Sequence, residues 1–310
     1  MHAMGDRAAL PRKRAPVPEP DRVNAGAFSD ESGQHDVAQV TCDESGSRSA
    51  PEYRKHLPWL VLVAAFAGFV AAPWPLAEKS HAVLHGLCAQ IPSHTFLLGN
   101  QPLPFDARMT GIYSGLAVTM IVIAFRTRLR AAALPGWPML SYLAALVVVM
   151  AVDGFNSLFL DLGMRHLYEP QNWLRLVTGA GAGMSLGATL CYLTGETLWR
   201  HPDYRSPAIS ARDVIFATLC WLPIMAAILS GAAWLYAPVT LVLLLSAVVT
   251  VCSIAYMMLI LIRTTNNRQT AFAHLGSEAA VGIVLGFIAI ALLAGGRFAL
   301  EHWGGIASPV

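Results

Sequence analysis

The chain is short of charge. Of its 310 residues only 13% are Asp, Glu, Lys or Arg, about half the share of a soluble globular chain. Set beside 55% hydrophobic residues, that scarcity excludes a soluble two-domain enzyme. The net charge of +2 is too small for a polyanion-binding surface, so no nucleic-acid partner is expected. Catalytic signatures are missing as well. There is no HExxH for a zinc protease and no paired DxxxD for prenyl transfer. No CxxC is present for quinone-linked disulfide chemistry. Cys42, Cys88, Cys191, Cys220 and Cys252 are scattered and give no disulfide framework. Matching halves with broken helices are absent too, which leaves a repeat-built transporter unsupported.

What the chain has instead is uncharged runs of membrane-spanning length. They occur at Leu57–Leu76, at Met109–Phe125 and from Trp137 through Val152 past Asp153. Another fills the stretch between Arg175 and Glu196, and a last one lies between Glu278 and Arg297. Residues 214–262 hold no charged side chain, and Ala237-Pro238 is the natural place to divide them into two helices. The expectation is an all-α polytopic transmembrane bundle of about seven helices. A long outer or re-entrant segment would join helices one and two.

Residues 1–55 are rich in Pro, Ser, Gly and charge, and read as a disordered cytoplasmic tail. The first long apolar run starts too late for a signal peptide. The helical domain would occupy 56–303, with 304–310 a short outer tail. Orientation follows from basic residues in the connections. With the N-terminus inside, Arg54, Lys55, Arg126, Arg128, Arg130, Arg200, Arg205, Arg212, Arg263 and Arg268 are internal, against Lys79, Arg108, Arg165, Arg175 and Arg297 outside. The expected setting is the inner membrane of a bacterial cell, crossed several times, with the C-terminus outside.

Glycines supply a packing signal. Gly179, Gly183 and Gly187 recur every fourth residue, and Gly282 and Gly286 repeat the spacing. Small residues let helix backbones approach where lipid supplies no hydrophobic drive. Tight internal packing is the plainer reading; docking of other membrane subunits is the alternative.

A few polar residues stand where apolar helices should continue. Asp153 lies sixteen residues past Trp137, about 24 Å of helix rise, while Arg108 and Arg175 open their helices at the same outer edge. An Asp in that position costs several kcal/mol (roughly 2.5–3.5) unless paired, so it should face inward and meet Arg108, Arg175 or both. The bland outcome is an ion pair fixing helix register. The functional outcome is an anion site, because two arginines against one Asp leave a positive surplus suited to phosphate or carboxylate. Thr110, Tyr113, Asn156, Asn172 and Thr178 are near enough in sequence to line it. Were the site catalytic, Asp153, Arg108, Arg175 and Tyr113 would be its residues.

Between the first two spans, His81, His85 and Cys88 have i, i+4, i+7 spacing and would share one face of a helix. That face could hold a divalent metal, with His94 or Asp106 as a further ligand. The spacing matches no established zinc signature, and His and Cys also serve as packing at membrane interfaces. The proline-rich stretch from Gln101 to Pro104 reads as irregular backbone, tolerated at membrane depth where packed in protein or lining a cavity.

The run CAQIPSHTF from Cys88 to Phe96, then LPFDARMTGIY from Leu103 to Tyr113, resembles the membrane-protein family known as domain of unknown function 2085. Asp153-Gly154 and LRLVTG from Leu174 to Gly179 resemble its later motifs. The resemblance covers roughly residues 57–195 and carries no established activity. It implies a Cys-His pair where this chain has Cys88-Ala89, and a Cys-x-x-Cys where it has Asp106 and Met109. Only Cys88 stands in place. A metal site here would therefore be lost or rebuilt from His81, His85, His94 and Asp106. The resemblance thus points to Arg108, Tyr113, Asp153 and Arg175 as the shared framework.

Three functions fit these residues. One is an outer-face site that binds or processes an anionic or lipid-linked ligand from the membrane. The second is a non-catalytic assembly or accessory subunit of a membrane complex. The third is a small-solute transporter using the same charged cavity.

Overall fold

Helices supply nearly all the regular structure in residues 53–126, 129–262 and 276–304, the parts described by the computed structural model. They are α1 (Tyr53–Ala71), α2 (Leu76–Leu84), α3 (Ala107–Phe125), α4 (Trp137–Asp161), α5 (Asn172–Leu198), α6 (Ala211–Leu229), α7 (Tyr236–Ile262) and α8 (Gly276–Gly304). Six of them, α3 to α8, are long and apolar enough to cross a membrane. The protein is an all-α polytopic bundle.

The first apolar run does not extend to Leu76. Pro73 and Pro75 deny the helix two backbone donors, so α1 stops at Ala71 and α2 restarts with Pro75 as its N-cap. Among the described residues the apolar part of α1 is Trp59–Ala71. The break between α6 and α7 also falls earlier than Ala237-Pro238. Gly231, at φ +65°, ends α6, and a 3-10 turn at Ala233–Leu235 leads into α7. Pro238 sits in the first turn of α7, where its missing N–H costs nothing. The expected tail lies outside the described residues except at 53–55, which open α1. Of the 304–310 segment only Gly304 is described.

α3 and α5 form the centre. α4 packs on α5, α6 and α7 on α3, α8 on α7, and α1 on α8. Glycine makes the central contact possible. A Cβ at Gly179 or Gly183 would overlap the carbonyl oxygen of Arg108 or Ile112 on α3, and one at Gly111 would overlap that of Leu176 on α5. Gly282 and Gly286 likewise meet Tyr256 and Cys252 on α7. Both glycine faces therefore pack within the chain.

Short strands close the ends. β1 (Leu97–Leu98) pairs antiparallel with β2 (Gln101–Pro102), around Gly99 at φ +63°. The stretch expected to be irregular is thus partly a hairpin. Its neighbours Leu98, Leu103 and Phe105 are fully buried, which anchors the segment onto the bundle. At the opposite end β3 (Ala131–Ala133) pairs parallel with β4 (Asp203–Pro207). There Arg126 pairs with buried Asp213 at 2.9 Å.

Candidate functional site

The start of α3, the end of α4 and the start of α5 meet at one end of the bundle. Asp106 caps α3, its Oδ1 accepting the Met109 N–H at 2.8 Å, which sets Arg108 in the first turn. The Arg108 guanidinium Nη2 reaches across to Asp153 Oδ2 at 2.8 Å, and also donates to the Asp153 carbonyl at 3.3 Å. The carboxylate side chain is 2% exposed, against 24% for Arg108.

Donors occupy both oxygens of Asp153. Tyr168 Oη donates to Oδ1 at 2.6 Å and Arg108 to Oδ2, while Thr178 Oγ1 lies 3.4 Å from Oδ2 and donates to the Leu174 carbonyl at 3.0 Å. Tyr168 comes from the loop after α4. That loop is tied down by Asn156, which donates to the Tyr168 carbonyl at 2.8 Å and accepts the Leu167 N–H at 2.6 Å. Partial burial, together with the bond to Asp153, pushes the Tyr168 phenol up to about 12, so it stays a donor.

Arg175 stands differently. It is 5% exposed, and no carboxylate lies within ion-pair distance of it among the described residues. Its Nε donates to Ser157 Oγ at 3.3 Å and its Nη1 to Asn172 Oδ1 at 2.8 Å, both neutral groups. Ser157 also accepts from Arg108 Nη2 at 3.2 Å and so joins the two guanidinium groups. Asn172 donates to the Ser93 carbonyl at 3.2 Å, which brings the segment between α2 and α3 over this corner. His94, on the same turn, lies 3.8 Å from Asp161; burial, then the Arg175 charge, holds its imidazole below the usual histidine range.

Arg108, Asp153, Asn156, Asn172, Arg175 and Thr178 thus gather in one network. Thr110 and Tyr113 do not join it. Thr110 is fully buried and donates to the Phe105 carbonyl at 3.3 Å, while Tyr113 stacks on Phe105 at 4.7 Å on another face of α3. Ser157 and Tyr168 belong to the network without having been expected. Ser157 was findable, one turn beyond Asp153 on the same face. Tyr168 sits in a loop with no periodicity to point at it.

Beside the network a groove of about 270 Å³ separates α4 from α5. Asp153, Tyr168 and Thr178 form its polar end; Val148, Val149 and Val152 line its apolar wall. Those three valines are among the exposed hydrophobic side chains, as expected of a surface meeting lipid.

The residues proposed for a metal are engaged in other contacts. α2 ends at Leu84, so the shared helical face stops before Cys88. Cys88 Sγ instead accepts the backbone N–H groups of Gln90 and Asp106, each at 3.4 Å, and burial pushes its thiol up to about 11. Both ring nitrogens of His85 are taken, by Gln90 Oε1 at 3.1 Å and Glu301 Oε2 at 2.8 Å. Burial lowers the His81 imidazole. Among the described residues no three His, Cys, Asp or Glu side chains converge.

The network residues and the thiol segment lie together in one stretch of sequence, and it is this stretch that has known counterparts. Residues 88–189 match the DUF2085 family model, described as a predicted membrane protein. The DUF2085 match runs from Cys88 into α5, narrower than the resemblance over 57–195, and leaves α1, α2 and α6 to α8 outside. It includes Arg108, Asp153, Asn156, Asn172, Arg175 and Thr178. An uncharacterized protein of Methanocaldococcus jannaschii is 35% identical over 107 residues, 34% of this chain. The matched residues span 62% of the length of that curated relative. No solved structure matches the chain.

Proposed function

We propose that this end of the bundle binds an anionic, lipid-like ligand, its head on Arg175 and its hydrocarbon chain in the α4–α5 groove. One observation carries the reading: Arg175 is a buried guanidinium whose hydrogen-bond partners are both neutral. A buried charge without a counter-ion is costly, and a ligand phosphate or carboxylate would supply the missing partner. Arg108 and Arg175 against Asp153 leave a surplus of one positive charge in the buried network. Asp153, then Asp161 and Asp106, attract Arg175 from beyond ion-pair distance, but Asp153 is already paired with Arg108 and Asp161 is exposed, where water and salt weaken its hold.

The division of labour follows from the contacts. Arg175 and Arg108 hold the head, Asn172 and Thr178 flank it, and Asp153 fixes Arg108. With donors on both of its oxygens, Asp153 serves to orient rather than to take a proton, so the reading is binding and not hydrolysis. The apolar valine wall favours a ligand arriving from the bilayer over a transported small solute. The excess of basic residues on the opposite connections supports an outward-facing position for this end.

The test uses the full chain in detergent and native mass spectrometry with phosphatidic acid or phosphatidylcholine. The wild type should retain phosphatidic acid in preference. Arg175→Gln should lose that preference by about tenfold, the loss of one charged hydrogen bond, while its melting temperature holds. Equal retention of both lipids, or an unchanged preference in Arg175→Gln, overturns the reading.

A further inference from the structure

A second cluster of buried ionisable groups lies away from the network, where the end of α8 meets the segment after α2. His85 is fully buried. Its Nδ1 faces Gln90 Oε1 at 3.1 Å and its Nε2 faces Glu301 Oε2 at 2.8 Å. The orientation of the Gln90 amide is decided by its surroundings. Gln90 Nε2 lies 3.1 Å from the Pro104 carbonyl and 3.3 Å from the His81 carbonyl, and both oxygens can only accept. The amide nitrogen must point at them, which turns Oε1 toward His85. His85 Nδ1 must therefore carry hydrogen.

The other ring nitrogen faces a carboxylate. Glu301 Oε1 accepts from Arg297 Nε at 2.8 Å, a contact that favours the ionised acid. Its Oε2 then accepts from His85 Nε2, so that nitrogen carries hydrogen too. A neutral imidazole has only one N–H. The contacts are satisfied together only when His85 and Glu301 hold one proton more than a neutral imidazole and a carboxylate. The Phe298 ring stacks on the His85 ring at 4.0 Å and 17°, an arrangement a cationic ring strengthens.

We propose that His85 and Glu301 form a buried proton site that latches the end of α8 to residues 85–90 while the proton is bound. From α2 His81 faces His85, and from the following segment Cys88; α8 contributes Arg297 and Glu301. Arg297 opposes a cation there, but its guanidinium is turned onto Glu301 and the backbone carbonyls of His85, Cys88 and Ala89. Those carbonyl bonds persist without the proton and keep residues 85–89 beside α8. When the proton leaves to water, Nδ1 keeps its hydrogen toward Gln90. The bare Nε2 lone pair then meets the Glu301 oxygen, and the bond between them is lost. The latch loosens as pH rises and tightens as pH falls. It stands independently of the anionic ligand.

Full-length protein labelled with 15N-histidine in nanodiscs tests this. His85 is assigned by the signals missing from His85→Asn, and ring nitrogens and amide exchange are followed from about pH 5 to about pH 8. Hydrogen should be found on both His85 nitrogens at the acid end. Loss of the second proton should coincide with faster amide exchange at 85–90 and 297–301. In Glu301→Gln the amide can donate to a neutral Nε2, so the pH dependence of exchange there should vanish. A His85 ring with one hydrogen throughout overturns the proposal, and the wild type alone decides that if Glu301→Gln does not fold. An undiminished pH response in a folded Glu301→Gln overturns it as well.

Discussion

Asp153→Asn is the perturbation with the most definite consequence. The substitution keeps size and shape but removes the charge that holds Arg108 Nη2 at 2.8 Å. Losing one partner of a fully buried ion pair costs about 3–5 kcal/mol. Arg108 is 24% exposed, so water can take over part of the duty, and the Asp153 carbonyl and Ser157 Oγ stay within reach of Nη2. The expected loss is therefore about 2–3 kcal/mol. Arg108→Gln should cost less, because Tyr168 still donates to the carboxylate. The double mutant should recover about 1–2 kcal/mol relative to the sum of the singles. Reversible unfolding in mixed micelles, with equal slopes for all four proteins, measures the cycle. A coupling below about 0.5 kcal/mol would refute the ion pair as a buried, mutually dependent contact.

Other outcomes follow from the same geometry. Gly183→Ala should destabilise by about 1–3 kcal/mol or separate α3 from α5, since its Cβ has no room beside the Ile112 carbonyl. Gly295→Ala, with nothing within 4 Å, should be neutral or stabilising by up to about 1 kcal/mol; thermal unfolding compares the two. Tyr168→Phe removes the 2.6 Å bond to Asp153 and should lower stability by about 1–3 kcal/mol, read by the same unfolding assay. Cys88, with its thiol pushed up to about 11 by burial, keeps little thiolate at neutral pH; maleimide should label it far more slowly than exposed Cys220 in detergent, and faster only as pH climbs toward that value.

Much of this was legible in the sequence, for identifiable reasons. Charge on a spanning helix is costly, so Asp153, Arg108 and Arg175 announced themselves, and their convergence followed from alternating helix direction. The partners were harder. Asp153 could have paired with either arginine; the start of α3 brings Arg108 Nη2 to it, while Arg175 turns to Ser157 and Asn172. Tyr113 was misplaced because proximity in sequence says nothing of which face a helical residue takes. The proposed His and Cys face assumed a helix through residue 88, and α2 stops at Leu84. Glu301 is 216 residues from His85, a separation no local pattern could bridge.

One comparison tests most directly whether Arg175 is a buried cation that takes an anion. Phosphatidic acid retention is measured on the full chain for the wild type, Arg175→Gln and Arg165→Gln, the last an exposed arginine in the loop after α4. Retention should fall in Arg175→Gln alone, by about tenfold. Equal loss in both variants, or in neither, would contradict that.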